Sequence, residues 1–218
     1  TPPAQFNFAG SQALLAQLKQ GASADLFITA DAPTMDAART AGLVLSPQVL
    51  ARNSLVVVLP SSNPGGVRTL ADLARPGLKI VLAAPAVPVG SYTLQVLDKL
   101  AADAAYGPGF KAGVLANVVS QEENVRRVLT KVQLGEADAG IVYRTDARAP
   151  TAAGGTQTIT ILDIPPAANV TAVYYIAVLK GAVALQAASA FQTYALGPDG
   201  QAALGRFGFL PAGPTPTP

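Results

Sequence analysis

Apolar residues along this chain fall into two rhythms that alternate from end to end. Runs at 54–59, 78–83, 139–143 and 173–179 are apolar nearly throughout, the pattern of strands covered on both faces. Shorter extended runs at 5–9, 25–29, 116–119 and 158–162 read as further strands. Between them the spacing turns helical. Leu14, Leu15 and Leu18 mark one face of a helix over 11–20 that Gly21 stops, and Asp31 with Pro33 opens a helix to Thr40 that Gly42 closes. Val125, Val128, Leu129 and Val132 mark a helix behind the capping box Ser120-x-x-Glu123, ended by Gly135, and Thr69-x-x-Asp72 caps a short one. A helix over 91–103 follows the Pro-stiffened loop 85–90, a turn stands at Gly154-Gly155, and two more helices cover 182–194 and 198–207. Strand and helix in alternation predict an α/β protein with largely parallel sheets. Residues 211–218 hold only Pro, Thr, Ala and Gly, a composition that builds no core and predicts a mobile tail.

Composition narrows the chemistry more than the fold. Half of the 218 residues are hydrophobic and 13% are charged, enough apolar mass for a sizeable core. Lys and Arg number 15 against 13 Asp and Glu, a net charge of +2 spread too evenly for a nucleic-acid surface. The chain has no His and no Cys, which removes the Ser-His-Asp triad, the thiol nucleophile and the ordinary zinc site. No general base has a visible partner, so an enzyme is not expected, nor is a cofactor or a protein-ligated metal. The P-loop signature is absent, and Gly107-Pro108-Gly109 lacks the strand and third glycine of a dinucleotide fingerprint. Asn169-Val170-Thr171 fits the glycosylation pattern at chance frequency, and Glu122-Glu123 with Arg126-Arg127 reads as a solvated helix face. No apolar run approaches the roughly 18 to 20 residues of a membrane span.

What remains is a recurring junction in which a strand ends, small residues or Pro follow, and a helix begins. Helix N-termini present unpaired N–H groups and the positive end of the helix dipole, so they hold anions without a charged side chain. Three such junctions stand out: Gly10-Ser11, Val89-Gly90-Ser91 and Glu123-Asn124-Val125. In an open α/β sheet these loops lie at the carboxyl ends of strands, where ligands sit. From the residues alone Ser11 reads equally as an N-cap, and Tyr143, ending an apolar strand, as a core aromatic.

The run Phe8-Ala9-Gly10-Ser11, continued by Gly21-Ala22-Ser23-Ala24-Asp25-Leu26-Phe27-Ile28-Thr29-Ala30-Asp31, resembles the periplasmic molybdate-binding proteins of ABC transporters. The likeness continues in order through Asn53–Val58, Val87-Pro88-Val89-Gly90-Ser91-Tyr92, Glu123-Asn124-Val125-Arg126, Ala139–Tyr143 and Phe207-Gly208-Phe209, and covers about residues 5–210. The resemblance implies a two-lobed type II periplasmic-binding-protein fold with a ligand cleft between lobes, residues 1–55 with 179–218 forming one lobe and 56–178 the other. It implies capture of molybdate or tungstate, with Ser11 as hydroxyl and backbone donor, Val89 and Val125 as backbone donors and Tyr143 as phenolic donor. A permease in the membrane is the implied partner, and a periplasmic or extracytoplasmic location, with or without a lipid anchor, the implied place.

Two departures qualify the resemblance. Family members open with a strand and an A-A-A-S-L-type turn whose serine adds a donor, and this chain starts after that segment. A monomer is expected, with exchange of segments between chains as the route open to a chain short of one strand. At Tyr174-Tyr175 the family commonly has Tyr-Pro. A related archaeal group adds two carboxylates to the metal's shell; the loop 85–90 has no acid, which favours simple tetrahedral coordination. The reading from another class is a small-molecule effector domain of a transcription regulator with the same fold.

Overall fold

The computed structural model describes residues 4–148 and 159–213. In chain order it runs α1 (Ser11–Lys19), β1 (Leu26–Thr29), α2 (Ala32–Thr40), β2 (Gln48–Asn53), β3 (Leu55–Pro60), a 3-10 turn (Leu70–Ala74), β4 (Ile80–Ala83), α3 (Pro88–Ala102), α4 (Phe110–Ala116) and β5 (Val118–Glu122). Then come α5 (Val125–Gln133), β6 (Ala139–Tyr143), α6 (Arg144–Arg148), β7 (Ile159–Asp163), β8 (Ala172–Val178), α7 (Leu185–Leu196) and α8 (Pro198–Arg206). Most expected elements are present. The turn at Gly154-Gly155 and the last tail residues, 214–218, lie outside the described residues.

The strands form two sheets, β1-β8-β2 and β5-β4-β6-β3-β7, each the centre of its own lobe. Around the larger sheet Val57, Ile80, Val96, Val128 and Val142 are buried in one core, because β3, β4 and β6 are covered on both faces. Leu15, Phe27, Met35 and Ala177 form a smaller core between α1, α2 and the other sheet, and Leu50, Ile176 and Ala195 pack under α7. Tyr174 spans both lobes, its ring edge-on to Tyr143 at 5.6 Å and to Phe209 at 5.2 Å.

Several expectations need correction. The sheets are not largely parallel: β4 runs parallel to β5 and β6, but β3 is antiparallel to β6 and β7, and both β1 and β2 are antiparallel to β8. The reason is connectivity. Parallel neighbours need a long crossover, whereas β3 enters its sheet straight from β2 through Ser54 with no helix to reverse it. No strand forms at 5–9. A strand needs a ladder partner and this segment has none among the described residues; instead Phe6 and Phe8 stack on each other at 5.8 Å while exposed.

Ser120 does not cap a helix, because it pairs with Val81 in the sheet; Asn124 caps α5 in its place, accepting from Arg127 N at 3.0 Å. α3 starts at Pro88 rather than at Ser91, since Pro is pre-set for the first helical position. β2 and α4 carry little local signal: β2 mixes Gln48, Arg52 and Asn53 among its apolar residues, and α4 is short and contains Gly113.

The chain passes from the small sheet to the large one at Ser54, and β8 is already a strand of the small sheet, so the return lies between Asp163 and Ala172, ahead of residue 178. The two passages are tied together. Asn169 accepts from Leu55 N at 3.1 Å and donates to Leu55 O at 2.9 Å, and Asn53 donates to Thr145 Oγ1 at 2.8 Å.

Candidate functional site

The three parallel strands β5, β4 and β6 end on one edge of the large sheet, and each delivers something to that edge. Ala83 and Glu122 are register partners, and Ala84 N donates to Glu122 O at 2.8 Å, so the turns into α3 and α5 start side by side. In α3, Val87 is the N-cap, Pro88 the first helical residue and Val89 the second, buried to 1% exposure. Its N–H belongs to the first turn, which has no intrahelical acceptor. Val125 is the first residue of α5, half-buried, with the Asn124 side chain spent on Arg127. Tyr143 closes β6.

The small sheet supplies the fourth group. Gly10 is the N-cap of α1 and has no side chain to consume the helix's free donors. Ser11 follows, buried, its Oγ accepting from Ala30 N at 3.0 Å, which leaves the hydroxyl proton for another acceptor. The start of α1 meets the turn before α5: Gln12 Nε2 donates to Glu123 O at 3.0 Å. The starts of α1, α3 and α5, which carry Ser11, Val89 and Val125, are thus linked through Glu122 and Glu123, and Tyr143 ends β6 beside β4.

Tyr143 is the most informative of them. Its ring is 3% exposed, and its fully buried hydroxyl makes no hydrogen bond of ordinary geometry among the described residues, with the Tyr174 side chain as the polar group beside it. Such a donor costs about 1–3 kcal/mol to leave unpaired. Burial holds the phenol well above its ordinary pKa, with smaller contributions from Tyr174, Tyr92, Asp146 and Asp31 around it, so it stays a donor. Tyr92, on α3, is pushed up to about 12, mainly by burial; its hydroxyl accepts from Val173 N at 3.5 Å.

Two acids, Asp31 and Asp146, stand near Tyr143. Asp31 caps α2, Oδ1 accepting from Thr34 N at 3.1 Å. Asp146, in the first turn of α6, is half-buried; burial pushes its carboxyl up to about 6, against the pull of Arg126 and of a hydrogen bond from the Tyr143 backbone. Its only sequence signal was a carboxylate three residues past Tyr143. Because the folded pKa lies above the unfolded one, the native state holds the extra proton between about pH 4 and 6, and stability falls as pH rises through that window. Asp146→Asn, which keeps an acceptor and loses the charge, should therefore gain stability above pH 6, by at most about 3 kcal/mol, and flatten the slope below it. Urea melts from pH 4 to 8 check this; an unchanged slope refutes it.

No set of three or more His, Cys, Asp or Glu among the described residues is placed to hold a metal ion. A cavity of about 240 Å³ opens between the two chain passages, lined by Ser54, Arg144, Ile164, Asn169 and Thr171. It offers an anion little: Arg144 is bound to Asp163 at 2.7 Å and Ser54 at 3.2 Å, and Asn169 to Leu55. Among the described residues no helix is long and apolar enough to cross a membrane.

Comparison with known proteins shows the family. The molybdate-binding protein ModA of Mycobacterium tuberculosis is 43% identical over 176 residues, 80% of this chain and 61% of that one. ModA of Escherichia coli is 32% identical over 211 residues, 93% of this chain and 76% of that one. The chain thus spans about 61% of the length of its mycobacterial relative. In fold it resembles the periplasmic molybdate-binding protein of Azotobacter vinelandii, with a TM-score of 0.75 at 23% identity, covering 93% of this chain and 84% of that one. Residues 3–210 match the bacterial extracellular solute-binding proteins, and the chain belongs to that family.

Proposed function

We propose that this solute-binding protein captures molybdate or tungstate in the cleft between its two lobes, outside the cytoplasmic membrane, and passes it as a monomer to an ABC permease. The observation that carries this reading is the buried Tyr143 hydroxyl, left without a hydrogen bond of ordinary geometry at the end of β6, beside the strand that leads into α3. A tetrahedral dianion has acceptors on every side, and this site offers donors from several. Ser11 gives a hydroxyl and an N–H, Val89 and Val125 give N–H groups, and Tyr143 gives its phenol.

None of these donors carries charge. Fixed dipoles share the charge of the ion, in surroundings where each hydrogen bond counts for more than in water, and the ion can still leave without breaking a buried ion pair. Size then discriminates: donors set for molybdate or tungstate stand too far apart to close on the smaller sulfate. The names of the relatives in Mycobacterium tuberculosis and Escherichia coli support the choice of ion. The regulator reading finds no support among them.

Isothermal titration with molybdate, tungstate, sulfate and phosphate tests this. Molybdate and tungstate should bind with sulfate at least about tenfold weaker, a gap of roughly 1.4 kcal/mol. Sulfate binding as tightly as molybdate would remove the size argument, and no binding by either metal oxyanion would overturn the assignment.

A further inference from the structure

We infer that Gln12 is a latch between the lobes that sets how fast the cleft releases its ion, a role that rests on the anion site proposed above. Gln12 lies on α1, whose Leu15 belongs to the small-sheet core; Glu123 precedes α5, whose Val128 and Val132 belong to the large one. The bond from Gln12 Nε2 to Glu123 O, 3.0 Å long, therefore crosses from lobe to lobe between residues 111 apart. It sits beside the donors themselves, one residue after Ser11 and two before Val125.

Gly10 allows this contact. A Cβ built there would stand 2.6 Å from both amide atoms of Gln12 and 2.8 Å from Glu123 O. Gly10 has ordinary extended backbone angles, φ −60° and ψ 141°, so its use here is close approach and not unusual geometry. Any side chain at this position would wedge the lobes apart.

The other half of the Gln12 amide shows why the latch is reversible. Its Oε1 is buried and has no partner among the described residues. Closing makes one hydrogen bond and strips water from one acceptor, so the latch favours the closed cleft by less than a fully paired amide would. The latch alone holds the cleft only weakly. An ion bridging the first turns of α1 and α5 tips it shut, and the same bond then retards opening.

Gln12→Ala should speed molybdate release about three- to tenfold while changing association less than about twofold, since association begins from the open cleft. Gln12→Glu, which puts a carboxylate against a carbonyl and near a dianion, should do more. Stopped-flow tyrosine fluorescence reads both rates, the chain having six Tyr and no Trp. Closure is read separately. The chain has no Cys, so spin labels at Ala16→Cys on α1 and Thr130→Cys on α5, both exposed, report the interlobe distance alone. Gln12→Ala should shift that distribution to longer distances with and without molybdate. Release rate and distances both matching the parent would overturn the latch. If the parent binds no molybdate, the ligand assignment fails instead, and the ion-free distances still decide: a longer distribution in Gln12→Ala supports the latch, and an unchanged one removes it.

Discussion

Gly90→Ala should cost about 3 kcal/mol or more in stability and abolish anion binding, although alanine is the better helix former by about 1 kcal/mol. The methyl group would stand 2.1 Å from Ala84 O and 2.6 Å from Ala83 O. Both are backbone atoms at the end of β4, which lies between β5 and β6, so no side chain can swing aside to make room. Either the strand end or the first turn of α3 must move. The site is lost in both cases, because Val89 belongs to that turn and the turn into α5 is hydrogen-bonded to the same strand end through Ala84 and Glu122. Urea unfolding together with a molybdate titration measures both effects. A variant within about 0.5 kcal/mol of the parent, the range of ordinary surface changes, and binding normally would show that the close approach is not required.

Tyr143→Phe should move two quantities in opposite directions. Molybdate affinity should fall by about 10- to 100-fold, the loss of one hydrogen bond to a charged group. Stability without ligand should hold or rise by up to about 1 kcal/mol, because the buried hydroxyl makes no hydrogen bond of ordinary geometry and the Tyr174 hydroxyl beside it keeps Asn53 as a partner. A purely structural tyrosine would behave in the reverse way, losing stability and sparing affinity. Titration and thermal melts on the same preparation separate the two. The phenol's raised pKa adds a corollary, that this donor is not lost in mildly alkaline solution.

Much of the architecture could be read from local chemistry. Gly21, Gly42 and Gly135 all take positive φ, at 94°, 72° and 73°, and end the helices they were expected to end. The unbroken apolar runs at 54–59 and 139–143 became β3 and β6, buried on both faces as such runs must be. Elements whose stability is local, a cap, a stop or an apolar face, leave a signature in adjacent residues. Elements that depend on distant partners do not. The segment 5–9 has the composition of a strand and is none, while β2, with Gln48, Arg52 and Asn53, is a strand because β8 pairs with it. Ser120 and Glu123 spell a capping box, yet the β4 ladder claims Ser120 for the sheet.

The same division holds at the site. The sequence by itself determined which groups could hold an anion without charge: helix starts at Ser11, Val89 and Val125 and a phenol at the end of an apolar strand. It also ruled out most other chemistries through the absence of His and Cys. Only the tertiary structure decided that the starts of α1, α3 and α5 are linked through Glu122 and Glu123, that the Tyr143 hydroxyl is buried without a hydrogen bond of ordinary geometry, and that Gln12 and Asp146 stand near Ser11 and Tyr143. The physical reason is range. Capping and periodicity act over a turn or two of chain, whereas a cleft is made where α1 and α5, packed into different cores, are brought face to face by the folding of everything between them.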